Sequence, residues 1–133
     1  MRHRKNTKKL QRTPAAGLAL RRGLALGLIE HGAICTTLPK ARVLRPFAEK
    51  LLTMSRKGSL ASHRLVVARL GNQPGVAKRL REYWVPKFKD VPGGYLRIKK
   101  LGPRKTDGAE MAKVEFVVSE KSKPAVKVAE KEK

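Results

Sequence analysis

Helical and strand periodicities succeed one another along this chain in an order that predicts an α+β fold. The order is helix, strand, three helices, two strands, giving a compact helical cluster packed on a small, mostly antiparallel sheet. Three observations carry the prediction. Apolar residues recur at helical spacing within residues 17–29, 43–52, 60–68 and 76–84. Apolar and polar residues alternate at 95–99 and 111–118, as in half-buried strands. Glycine or proline punctuates most of the junctions. The same reading divides the 133 residues into a basic arm (1–12), a single α+β domain (13–118) and a charged, flexible tail (119–133).

Each element has its own cause. Thr13 can cap the free amides of the first helix, and the fixed φ of Pro14 suits a first turn. Leu18, Ala25 and Ile29 share one face of it and Leu20, Leu24 and Leu28 another, so it reads as a helix buried almost all round. Ala19, Gly23 and Gly27 form a small-residue side open to close approach, and Gly32 after His31 is a natural stop. Residues 33–37 form a short β-branched strand. Thr37 or Leu38 then caps the second helix, whose stripe is Val43, Phe47 and Leu51 beside Leu44, Ala48 and Leu52. Pro46 lies inside that stripe and lacks an amide hydrogen, so a bend or restart is expected there.

Gly58-Ser59 breaks and recaps the chain. The third helix is expected to bury Leu60, Ala61, Leu65 and Ala68. After the turn at residues 71–75, Val76, Leu80, Tyr83 and Trp84 trace a fourth helix that Pro86 ends, with Trp84 in the core. Residues 87–92 read as loop. In the two strands, Leu96 and Ile98, then Ala112, Val114, Phe116 and Val118, face inward, and residues 102–108 make a basic hairpin loop. The tail offers no apolar stripe to bury.

Charge bounds the function. Lys and Arg number 32 against 10 Asp and Glu, a formal net charge of +22. Self-repulsion of that size opposes compaction, so a polyanionic partner is implied, nucleic acid before a membrane surface or acidic polysaccharide. With 41% hydrophobic residues there is material for a core. Cys35 is the only cysteine, so no internal disulfide forms, and it is expected to pack as a buried thiol. Arg21-Arg22 splits the apolar run near the N-terminus, which excludes a membrane span or a signal-peptide core there. Asp90 and Asp107 are the only aspartates, both in loops, and the three histidines have no ligand spacing. No catalytic residue, metal site or cofactor is indicated, and neither a membrane contact nor a homo-oligomer is expected.

The candidate phosphate contacts are spread over every element. They are Arg2, Arg4, Lys5, Lys8, Lys9 and Arg12 of the arm, Arg21 and Arg22 of the first helix, and Lys40, Arg42 and Arg45 in the first turns of the second. Arg97 and Lys99 on a strand and Arg104 and Lys105 in the hairpin complete the set. Cations at the amino end of a helix oppose its dipole, and a phosphate would resolve the conflict while accepting hydrogen bonds from the free amides. Charge on several sides suits a protein embedded among RNA segments better than one reading a single DNA groove. The alternative is a free nucleic-acid-binding protein that compacts or regulates DNA. An RNA-modifying enzyme lacks any nameable catalytic residue.

Four ordered stretches resemble the family of bacterial-type ribosomal large-subunit protein seventeen. They are Met1-Arg2-His3-Arg4-Lys5, then His31 through Arg42 (HGAICTTLPKAR), Gly93-Gly94-Tyr95-Leu96-Arg97-Ile98, and Gly102-Pro103-Arg104 through Asp107 with Ala109, Met111 and Glu115. The resemblance spans residues 1–118. It implies a non-catalytic structural protein bound to large-subunit ribosomal RNA near the nascent-peptide exit, beside neighbouring large-subunit ribosomal proteins, in the bacterial cytoplasm or, less readily, an organelle. By motif it adds His3, Thr36, Thr37 and Tyr95 to the RNA-facing set, alongside Arg2, Arg4, Lys5, Lys40, Arg42 and Arg97. Leu96 stands where the family often has threonine, and Val91-Pro92 where a basic residue is usual, which implies fewer RNA contacts at those sites.

Overall fold

The computed structural model describes residues 8–117. Helix α1 (Pro14–His31) starts where Thr13 leaves extended backbone, its hydroxyl accepting from the Ala16 amide at 3.4 Å. It ends at Gly32, whose amide donates to the Leu28 carbonyl at 2.8 Å. Glycine is required there twice over. Its φ is +77°, and a Cβ would come within 3.0 Å of the Trp84 ring. Strand β1 (Ala33–Thr37) follows at once, and Thr37 serves as N-cap of α2 (Leu38–Arg56) without a side-chain hydrogen bond.

Burial of α1 is confined to its carboxyl half, at Ala25, Leu28 and Ile29. The expectation of a helix buried along its length is corrected accordingly. On the small-residue side a methyl at Gly23 would meet nothing within 4 Å among the described residues, whereas one at Gly27 would touch the Ile34 side chain at 3.7 Å. Helix α2 runs through Pro46 as one element, so no restart occurs. Its buried face is Leu38, Ala41, Leu44, Ala48, Leu51, Leu52 and Ser55, with Val43 and Phe47 half-buried on the flank.

Helix α3 (Leu60–Arg69) turns the other way round from the sequence reading. Ser62, Val66 and the following Leu70 are buried, whereas Leu60 and Leu65 are exposed. The hydroxyl of Ser62 donates to the Ser59 carbonyl at 2.8 Å, so a buried serine leaves no polar atom unpaired and hydropathy alone misjudged it. Helix α4 (Pro74–Arg79) passes into a π turn, Leu80–Trp84, and then a 3-10 turn, Val85–Phe88. Pro86 therefore does not end the helical path; it lies inside the last turn, where its missing amide hydrogen costs little.

Strands β2 (Leu96–Pro103) and β3 (Glu110–Phe116) complete an antiparallel sheet in the order β1-β3-β2. A bulge between Lys100 and Gly102 lets β2 run to Pro103, so the hairpin loop is shorter than expected. The helices cover one face, on which Ala112, Val114 and Phe116 meet Leu28, Leu44, Leu52, Trp84 and Phe88 in a single core. Trp84 is buried, its indole donating to the Ile29 carbonyl at 2.9 Å, and its ring lies 4.1 Å from that of Phe116. At the end of α2, Arg56 ties down the loop before β2. It donates to the Val91 carbonyl and the Tyr95 hydroxyl, both at 2.6 Å, and to the Lys89 carbonyl at 3.0 Å.

Candidate nucleic-acid interface

A cleft of about 590 Å³ opens where the arm, the amino end of α1 and the flank of α2 converge. Lys8, Lys9, Arg12, Arg21 and Arg42 line it, together with Leu10, Thr13, Pro14, Gly17, Val43 and Pro46, and it has no carboxylate. The chain reaches it through a tight turn in which Leu10 and Gln11 both take positive φ, +52° and +54°, and the Arg12 amide donates to the Lys9 carbonyl at 3.1 Å. Such backbone is costly for residues with a Cβ and persists only where its surroundings enforce it. The turn folds Lys8 and Lys9 back over α1 and α2. Arg21 is steadied by the Gly17 carbonyl at 3.1 Å and lies over the Phe47 ring, while Arg42 is exposed.

The electrostatics are one-sided. The amino end of α1 borders the same cleft through Thr13, Pro14 and Gly17, so the positive end of its dipole lies there, and its first turn has no acidic residue. Five cations beside that end repel one another and the dipole. Among the described residues none of the five pairs with a carboxylate. An arrangement of this kind is chemically suited to an anion. The dipole conflict foreseen at the start of α2 thus reappears at α1, with α2 contributing Arg42 from its second turn.

The other sequence-predicted residues are distributed differently. Arg2, His3, Arg4 and Lys5 lie outside the described residues. Lys40 is half-buried on the first turn of α2 and does not line the cleft. Thr36 is buried and Thr37 half-buried. Arg22 is turned inward, donating to the carbonyls of Arg69 at 3.1 Å and Ala68 at 3.4 Å, where it satisfies the carboxyl end of α3. Tyr95 is only 2% exposed and belongs to the core, so its ring is not free to stack on a base. Cys35 is exposed on the uncovered face of the sheet, contrary to expectation, because its register places it opposite Lys113 and away from the helices.

That uncovered face and the hairpin hold cations of another kind. Lys99 and Lys113 both reach Glu115, at 2.6 and 3.4 Å, and hydrogen bonding from Lys99, ahead of the charges, holds that carboxyl below its usual range. Arg104 grips Asp107 with two nitrogens, Nε donating at 2.8 Å, and this lowers the Asp107 pKa to about 2. Arg45 pairs with Glu49 at 3.1 Å. Arg97 and Lys100 on the sheet and Lys105 at the hairpin tip are exposed and without such a pair among the described residues. Reasoning from sequence missed the apolar floor of the cleft, Val43 and Pro46. Their spacing from Arg42 put them on one flank of α2, but the left-handed turn that closes the cleft had no signal in residue types. No helix of the described residues is long and apolar enough to cross a membrane, and no group of three metal-ligating side chains occurs among them.

Residues 20–117 match the family described as Ribosomal protein L17, a span that takes in α1 from Leu20 onward, α2 and the whole sheet. The chain belongs to the ribosomal protein L17 family. Among its relatives is the large ribosomal subunit protein bL17 of Gemmatimonas aurantiaca, 50% identical over 119 residues, or 90% of this chain and 100% of that protein. The bL17 of Zymomonas mobilis is 48% identical, over 88% of this chain and 83% of its own length. That of Sphingopyxis alaskensis is 44% identical, over 88% and 84%. These three relatives are bacterial, and their matches cover 88–90% of this chain.

Proposed function

We propose that this chain is a structural, non-enzymatic constituent of the large ribosomal subunit that holds large-subunit ribosomal RNA through the cleft between arm, α1 and α2. The observation that carries the reading is the concentration of Lys8, Lys9, Arg12, Arg21 and Arg42 around one helix amino end with no carboxylate among them. Phosphate neutralisation supplies the affinity, and the fit of folded RNA to the cleft supplies most of the specificity. Membership of the L17 family supports the ribosomal assignment. Contact with neighbouring large-subunit proteins, a place near the nascent-peptide exit and residence in the bacterial cytoplasm are the finer parts of the reading. They rest on the family resemblance.

The test is a sucrose-gradient separation of subunits from cells producing a tagged chain, blotted across the fractions. The tag is expected in the large-subunit and 70-type monosome peaks at moderate salt, and in free fractions for a chain with Arg12 and Arg42 changed to alanine. A tag that stays at the top of the gradient, with equal affinity for generic duplex DNA and ribosomal RNA, would overturn the assignment.

A further inference from the structure

One cluster of cations lies far from the cleft and is organised by an aromatic ring. The π turn Leu80–Trp84 places two adjacent aromatics in opposite settings: Trp84 enters the core, while Tyr83 stays 41% exposed. The rings meet edge to face with centroids 5.0 Å apart, so the buried indole fixes the exposed phenol. One helical turn to either side, Arg79 and Lys87 lean onto Tyr83. The Lys87 ammonium is 3.5 Å from the ring centroid and the Arg79 guanidinium carbon 5.7 Å. Among the described residues neither cation is in ion-pair reach of a carboxylate, although Glu82 is a chain neighbour of the ring.

A lysine and an arginine on a surface normally sample many rotamers, and binding must freeze them. Here the Tyr83 ring touches both, and the Trp84 ring, 5.0 Å from the Lys87 ammonium, backs the lysine, each within the roughly 6 Å over which a ring attracts a cation. The ring is occupied by the ammonium, which leaves the two charges, and not a stacked base, as what the cluster presents. π turns recur where a helix is bent to a task. Trp84 touches α1 at Ile29 and Gly32, whereas the cleft uses α1 only from Pro14 to Arg21. From Arg21 to Ile29 the helix rises about 12 Å, so the two sites are separate.

We propose that Arg79, Tyr83 and Lys87 form a second contact for the RNA phosphodiester backbone, with Tyr83 as the residue that holds the two cations in place. The inference rests on the RNA-binding reading above and extends it to the opposite end of α1.

The experiment is equilibrium binding of the full chain to large-subunit ribosomal RNA over a range of salt, with helical content checked by circular dichroism. Changing Arg79 and Lys87 together to glutamine should flatten the slope of log K against log salt by roughly 1.5 and lower affinity roughly 20-fold at 0.15 M. Tyr83→Leu removes no charge; it should lower affinity about three-fold and leave the slope nearly that of the parent, whereas Tyr83→Phe keeps the ring and should bind as the parent does. The loss from the Arg79 and Lys87 pair should add, in log units, to the loss from Arg12→Gln with Arg42→Gln, as for independent sites. A parent slope near zero would sink the ribosomal-RNA reading and this site with it. A steep parent slope that the Arg79 and Lys87 pair leaves unchanged would overturn this site alone. Parent-like affinity in Tyr83→Leu, or equal losses in the Leu and Phe variants, would overturn the role of the ring.

Discussion

The cleft and the sheet face carry similar numbers of cations, yet they differ in what those cations do. Around the cleft, five cations meet a helix amino end and no acid. On the uncovered sheet face and the hairpin, Lys99, Lys113 and Arg104 are each matched to Glu115 or Asp107. A cation already paired gains less from a phosphate, because binding must first break or share the existing pair. A cation held among like charges gains more, since the phosphate also removes repulsion. Net charge implies a polyanionic partner; the placement of the few carboxylates is the basis for proposing where it would bind.

That contrast can be broken experimentally. The largest effect is expected from Arg12→Ala with Arg42→Ala. Each phosphate contact with a slope near −0.8 is worth roughly five-fold in affinity at 0.15 M salt, so the pair should cost roughly 20-fold. Circular dichroism should stay unchanged, because neither side chain supports the core. A filter-binding titration checks the first and a spectrum the second. Arg22→Ala sharpens the comparison from the other side. Its two bonds to the end of α3 are structural, so thermal unfolding should show a loss of about 1–2 kcal/mol, with RNA affinity per folded molecule within about two-fold of the parent.

Smaller effects are expected where the cations are paired. Lys99→Ala with Arg104→Ala should change affinity by less than about three-fold, measured in the same titration. The pairs themselves should show in acid. Asp107 has a folded pKa of about 2, below its ordinary 3.8, so its contribution is fully present above that ordinary value and is lost as pH falls through about 2. Glu115 is depressed in the same direction and follows the same sign. Hydrogen exchange at the Ala109 amide, which donates to Asp107, should therefore quicken over that window.

Much of this was legible in the residues. The element order, the Thr13 cap, the Gly32 stop and the burial of Trp84 follow from local rules, since each depends on a few adjacent side chains. What escaped were features decided by partners distant in sequence. Arg22 looked like a free cation until α3 was seen to end beside it, 46 and 47 residues on. Tyr95 looked like a surface aromatic until Arg56 and the Phe88 ring were placed against it. α3 could bury either of two faces, and hydropathy chose the one with Leu60 and Leu65 because a serine satisfied by its own cap is invisible to an apolar count. The cleft was half legible: its cations were all named, but the turn at Leu10 and Gln11 that gathers them obeys no residue preference.

The central claim is that the unpaired cleft cations, and not the paired ones, bind ribosomal RNA. Its most direct test is the salt dependence of binding for the parent, for the Arg12 and Arg42 alanine variant, and for the Lys99 and Arg104 alanine variant. The expected result is a steep parent slope, flattened by roughly 1.5 in the cleft variant and nearly unchanged in the paired variant. Equal flattening in both variants, or none in the cleft variant, would contradict it.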